Sequence, residues 1–391
     1  MRAARKAAKR PATGAARKVA KRPATGAGVL VFIGVLACSL SGLIGLAAAT
    51  AQEDSASGSS LRIDRAKGEA KYEAPNSGSG KTVQESPNTE NTGGMSSLAG
   101  EDMLGLEEAR QYMISIINRD RASLGLKAVA RDEVATRAGQ DHSDEMARLG
   151  YLSHWDTGGR KPDQRYTECG GKGFVMENCH IEESGYPDSQ NENGRKMAKL
   201  EDVPRFDRKT LDDIEDSFFG EKPPHDGHRK NIIDPFHTHV GIGLSIADDG
   251  NTRRLTCTQE FVNNYAELAD IPSAIKVGES FRVAGKLPDG LRVHGIDIYW
   301  DELPKKMSIR ELARTASYGP PTLRLKSYFP VGAYQPLIKT AFSGARQEFS
   351  LEIATDSSWK PGLYYVYIWA KNGGGTGKES FLISSRTITI N

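Results

Sequence analysis

Four of the chain's eight histidines, at 225, 228, 237 and 239, fall within residues 223–243, PPHDGHRKNIIDPFHTHVGIG. Imidazole can offer a neutral ring nitrogen to a metal ion or carry a proton near pH 7, so this concentration is the first place to look for chemistry. Its surroundings indicate how the rings are held. Residues 227–233 read as a short helix, and Asp234-Pro235 stops it, because proline has no N–H to donate and disfavours helix in the residue before it. Val240, Ile242, Leu244 and Ile246 then alternate with Gly and Ser, the period of a strand with one buried face. His154 stands apart, in GYLSHWD at 150–156, where a helix end turns and a side chain can point into a cleft.

Amphipathic helices are expected to frame these residues. Leu106, Ala109, Met113, Ile116 and Ile117 recur at helical spacing over 104–123, with Gly125 placed to end the helix in a left-handed turn. A second helix is predicted over 132–149, with Val134, Ala138, Met146 and Leu149 on one side and Gly150 after it; His142 on this helix reads as a structural, interior side chain. A third begins at Thr210 as N-cap, with Asp213 as its early acid and Leu211, Ile214 and Phe218 facing inward. The polar stretch from Ile181 to Arg208 reads as a surface loop.

Taken together, GYLSHWD at 150–156, Glu177-Asn178, FFGE at 218–221, GHRKNI at 227–232 and HTHVGIG at 237–243 resemble the CAP superfamily. This is the SCP-like extracellular domain of cysteine-rich secretory and pathogenesis-related proteins, here of bacterial type. Met176 stands where the family has glycine before Glu-Asn, and Phe218 where it has tryptophan. The resemblance covers residues 103–265 and implies an α-β-α sandwich. Residue by residue it assigns a cleft tetrad of His154, Glu177, Glu221 and His228. The two histidines would bind a divalent cation such as Zn²⁺, weakly, since two imidazoles are fewer than the three protein ligands usual in catalytic zinc sites. Glu177 and Glu221 would orient bound water or act as acid and base. The competing reading is a polar network that merely shapes the cleft.

Three cysteines, 169, 179 and 257, lie outside the apolar N-terminal segment, and three thiols allow three pairings. Cys169–Cys179 closes the shortest loop and would brace the Glu177 strand, so it is the expected disulfide in an oxidising compartment.

The flanks set the location. Lys and Arg total 52 against 50 acids, but the first 27 residues, built on a twelve-residue tandem repeat, hold nine basic groups and no acid; the rest carries 43 basic groups against 50 acidic ones. The basic character therefore belongs to a tail. It reads as a topology signal, and no nucleic-acid partner is expected for the folded domains. Residues 28–51 carry no charge, and 24 residues would span about 36 Å as a helix, enough for a bilayer core. They form either a transmembrane anchor with the N-terminus cytoplasmic or a signal peptide cleaved after Ala49-Thr50-Ala51. Residues 52–102, rich in Ser, Gly, Asn and Glu, make a disordered linker. Everything beyond it is extracytoplasmic.

Beyond 268 the helical period gives way to short alternating runs at 275–287, 293–300, 322–328, 348–353, 363–371 and 380–390, an all-β sandwich. WKPGLYYVYIW at 359–369 resembles the turn and tyrosine-bearing strand of immunoglobulin-like modules. The fold class is thus α+β: a CAP sandwich at 103–265, then a β-sandwich at 268–391.

The expected function is a cleft that binds a lipid, a peptide or a cell-envelope component, with a divalent cation. One alternative is a metal-assisted hydrolase of the cell envelope, although no Ser or Cys with a dedicated base stands out. Another is an adhesion or scaffold protein acting through the β-sandwich.

Overall fold

The computed structural model describes residues 32–36 (backbone only), 102–185, 197–315, 317–330, 347–373 and 379–391. The basic repeat, most of the apolar segment and nearly all of the linker lie outside them. The described part of the apolar segment, Phe32–Leu36, is a strand paired antiparallel with residues 179–183, where a helix was expected. Its backbone groups find partners along a sheet edge that would otherwise stand open. Among the described residues no helix is long and apolar enough to cross a membrane.

Helix α1, Leu106–Ser123, begins after Gly105, whose N–H donates to Glu108 at 2.8 Å, and ends as Gly125 turns to φ +72°, a conformation that a Cβ disfavours. Helix α2, Glu133–Leu149, is capped by Asp132, which accepts from Ala135 N–H, and stops at left-handed Gly150. Helix α3, Pro162–Glu168, was not anticipated. It opens on a proline, where the missing N–H has no intrahelical partner to lose. Helix α4, Arg208–Phe219, is capped by Asp207 instead of Thr210: the carboxylate accepts from the Thr210 N–H at 3.0 Å and its hydroxyl at 3.2 Å. A negative acceptor outcompetes a hydroxyl at a helix N-terminus. Helix α5 is Gly227–Ile233.

These helices sandwich a sheet whose long antiparallel strands run in the order Phe174–Gly185, Thr252–Asn263, His239–Asp248, with the short strand Ala130–Arg131 parallel on the far edge. Val240, Ile242, Leu244 and Ile246 pack with Met113 and Ile117 of α1 and with Leu211 and Ile214 of α4. The alternate face of that strand is also buried, under α2, because Gly241 and Gly243 leave it bare. A Cβ at Gly241 would come 2.3 Å from the Ala135 carbonyl carbon, and one at Gly243 2.2 Å from the Gly139 oxygen. The alternation thus reports a strand buried on both sides, with helix backbone against the glycines.

All six stretches read as strands beyond residue 268 contain strands: Ser280–Lys286, Leu291–Asp301, Leu323–Tyr328, Glu348–Ala354, Gly362–Asn372 and Ser380–Ile390. With the short strands Glu267–Leu268 and Ala274–Ile275 they build a five-stranded and a three-stranded sheet around Val283, Ile296, Ile298, Leu351, Tyr364, Val366 and Ile368. Tyr364 donates its hydroxyl to Lys360 O at 2.7 Å and accepts from Lys360 N–H at 3.0 Å, pinning the turn before its strand. The β domain is docked on the first one. Asn263 Nδ2 donates to Leu382 O at 2.7 Å and Ser384 Oγ to Lys172 O at 2.8 Å, and Phe174 and Met176 join Tyr299, Tyr365 and Tyr367 in one apolar cluster.

Candidate functional site

Glu177 lies on the sheet strand Phe174–Gly185 with its side chain on the α2–α3 face. Its two oxygens are taken by different partners. Oε1 accepts from His154 Nδ1 at 2.8 Å and Oε2 from Arg165 Nη2 at 2.5 Å, all three residues being buried. Helix α3 supplies Arg165, which also donates to the carbonyls of His154 at 2.8 Å and Arg160 at 3.0 Å, so it fixes the turn that carries His154. Burial alone would raise the Glu177 carboxyl, but Arg165, His142 and His154 together outweigh it and hold it well below the usual carboxylate range. It is an anion with little appetite for a proton.

The second pair forms on the other side of the same strand. Glu221, in the turn after α4, accepts from His228 Nδ1 at 2.6 Å through Oε1, and from the backbone N–H of His228 at 2.9 Å through Oε2. It therefore does at the start of α5 what the Asp226 side chain, which makes no cap bond, does not. Phe218 stacks on the His228 ring with centroids 4.5 Å apart. Burial lowers the His228 pKa, Glu221 partly opposing it. The two halves are stitched through the strand: Asn178 Nδ2 donates to His228 O at 3.2 Å, and Asn231 Nδ2 of α5 donates to Asn178 Oδ1 at 2.8 Å and Glu177 O at 3.3 Å.

A carboxylate can only accept, so each Nδ1 carries the proton and each Nε2 of the neutral ring is left with its lone pair. The Nε2 atoms of His154 and His228 are buried and have no hydrogen-bond partner. Carboxylate on Nδ1 and a bare Nε2 is the arrangement in which protein imidazoles ligate metals. The tetrad thus resolves into two imidazoles fit for ligation and two carboxylates that set their tautomers.

The remaining histidines divide plainly. His142 Nε2 donates to Ser153 O, 2.8 Å away, and burial, aided by Arg165, lowers its pKa to about 4, in keeping with a structural role. His225 is exposed, so it does not join the pair. His237 bonds Asn263 Oδ1 at 2.7 Å and stacks on Phe261, and His239 bonds the Thr238 hydroxyl at 2.9 Å. His180, not singled out from sequence, is buried on the His228 side with both ring nitrogens unpartnered, its pKa lowered to about 4 by burial and by His228.

Cys169, Cys179 and Cys257 form no disulfide with one another, which overturns the expected Cys169–Cys179 bridge. Cys169 sits half-buried at the C-terminal end of α3. Cys179 turns inward beneath α2 with Met146 and Tyr151, its sulfur 3.5 Å from His154 Nδ1. A short loop in sequence does not make the two Cβ vectors converge. His154 Nδ1, a Glu177 oxygen and Cys179 Sγ lie within 4.8 Å of one another. That nitrogen is already committed to Glu177 and Glu177 to Arg165, so we read the trio as a hydrogen-bonded cluster. Arg165 and the Cys179–His154 contact were missed from sequence; Pro162-Asp163, a helix-opening pair, was the available signal for α3 itself.

Residues 114–261 match the model of the cysteine-rich secretory protein family, CAP. No curated protein matches the chain. Among solved structures, the chain is similar to an extracellular protein containing an SCP domain from Bacillus anthracis, with 18% identity over 40% of this chain and 41% of that one and a TM-score of 0.27. The chain therefore spans about two fifths of that protein's length. It is also similar to an outer surface protein from Borrelia burgdorferi, with 14% identity over 41% of this chain and 96% of that one and a TM-score of 0.29.

Proposed function

Since residues 114–261 form a CAP domain, we propose that its cleft holds a divalent cation between His154 and His228 and uses it to take a ligand outside the cytoplasm. The observation that carries this reading is the pair of buried, unpartnered Nε2 atoms whose rings are oriented by Glu177 and Glu221. An unmade hydrogen bond in the interior is costly, and a ligated cation would offset that cost. When bound, the ion supplies an electrophilic anchor for a carbonyl, carboxylate or phosphate oxygen. The ligand class is a lipid, peptide or cell-envelope component. The SCP-domain protein and the outer surface protein to which the chain is similar are extracellular and surface proteins by description, in keeping with that location.

The hydrolytic alternative needs a base, and Glu177 is a poor one while Arg165 holds it ionised. Binding is the better-supported function. The test is calorimetric titration of zinc into the full chain and into a His154→Ala/His228→Ala variant. Micromolar or tighter binding lost in the variant supports the site; equal heats in both proteins overturn it.

A further inference from the structure

The Glu177 strand has an open edge at the cleft, and the β domain reaches across to fill it. Glu177 N–H donates to the hydroxyl oxygen of Tyr318 at 3.1 Å, although the two residues are 141 apart in sequence. The Tyr318 ring stands edge-on to His154, centroids 4.8 Å apart, and to Trp155 at 6.3 Å. Three residues earlier, the Thr315 hydroxyl lies 2.7 Å from that of Ser153, beside His154. Helix α6, Ile309–Leu312, closed by a Ser308/Glu311 capping box, presses the fully buried Leu312 onto Met146, Tyr151 and Cys179. Met307 N–H donates to Thr157 O at 2.9 Å, and Lys161 pairs with Asp301 at 2.8 Å.

This cover belongs to the connection between the strands Leu291–Asp301 and Leu323–Tyr328. It contributes nothing to the ladders of either β sheet, and neither Leu312 nor Tyr318 is part of the sandwich's main core. It can therefore leave without unpairing a strand. Tyr318 also forms one wall of a small recess of about 20 Å³ bounded by Phe174, Met176, Pro320, Tyr367 and Trp369.

We propose that α6 and Tyr318 are an internal occupant of the cleft: Tyr318 places an oxygen acceptor on the Glu177 N–H and an aromatic edge on His154, and an outside ligand enters only when this cover lifts. The competing ligand must replace both contacts, which favours one that pairs an oxygen acceptor with a flat apolar group. The inference rests on the cleft being a binding site but not on the cation. Absence of zinc binding in every form would remove the cation and leave the cover untouched.

Cys179 is the built-in reporter, because it is buried under Leu312 beside His154, whereas Cys257 is buried inside the sheet and reports unfolding. The full chain and its Tyr318→Ala variant are treated with iodoacetamide, and labelling is resolved by peptide mass spectrometry. Cys179 should label at least tenfold faster in the variant while Cys257 stays protected; unchanged Cys179 protection overturns the proposal. Should Cys257 open as well, a Ser153→Cys/Thr315→Cys variant decides. Its disulfide-tethered form must label at Cys179 at least tenfold more slowly than the same protein reduced, and equal rates overturn the proposal.

Discussion

Glu177 and Glu260 stand directly opposite each other on neighbouring strands, both fully buried, and Arg165 lies over the pair, 2.5 Å from the first carboxylate and 4.0 Å from the second. Two buried acids and one fixed cation can hold only one negative charge cheaply. Burial, and then the charge on Glu177, push Glu260 well above the usual carboxylate range, while Arg165 keeps Glu177 ionised. Glu177 can then orient His154 as an acceptor at any ordinary pH. Arg165→Leu should cost about 3–5 kcal/mol, the penalty for a buried charge left alone, whereas Glu260→Gln should cost far less because that group is already neutral. Urea denaturation at pH 7 compares the two, and equal losses would refute this division of charge.

Glu221 caps α5 and fixes the His228 tautomer with the same carboxylate. Glu221→Ala should lower stability by about 1–2 kcal/mol through the lost cap. It should also weaken zinc binding by about 10–100-fold, the range seen when a ligand's orienting partner is removed. Thermal unfolding and calorimetry read these separately. A variant that loses stability but keeps full zinc affinity would show Glu221 to be a cap and nothing more.

The strand His239–Asp248 depends on bare glycine against α2. Gly243→Ala would drive a methyl to 2.2 Å from the Gly139 oxygen, which the packed helix can relieve only by shifting, at a cost of about 1–3 kcal/mol or more. Gly250→Ala is the contrast: its φ of +91° is strained for a side chain, but nothing lies within 4 Å, so the loss should stay near 1 kcal/mol. Melting temperatures should fall much further for the first, and a reversed order would contradict the close helix–strand contact.

Local chemistry was legible in the sequence, and contacts between distant segments were not. The α5 turn, its Asp234-Pro235 stop and the alternation from Val240 announce themselves because each is fixed by neighbours a few residues away. So do the sandwich strands, read from period-2 runs between Gly and Pro. Arg165 is one of 52 basic residues, and nothing in its immediate sequence marks it as the buried partner of Glu177. Tyr318 reaches the cleft from another domain, and Cys179 points towards His154 because of the strand's register. Side-chain direction of that kind is set by tertiary packing, which is also why the shortest cysteine loop misled.

Glu215 gives the fold a pH dependence of its own. It is buried on α4 and accepts from Gln259 Nε2 at 2.6 Å, and burial, only partly offset by that bond, raises its pKa to about 8 from an ordinary 4.5. The native state therefore holds a proton that the unfolded chain releases above pH 4.5. The stability this contributes is fully present below that value and is lost as pH rises through about 8. Glu215→Gln keeps an oxygen for Gln259 and cannot ionise. The unfolding free energy should fall for the wild type by a few kcal/mol between pH 5 and 9 and change much less for the variant, which should be the more stable protein at pH 9. Parallel pH profiles would mean that Glu215 ionises freely in the folded state.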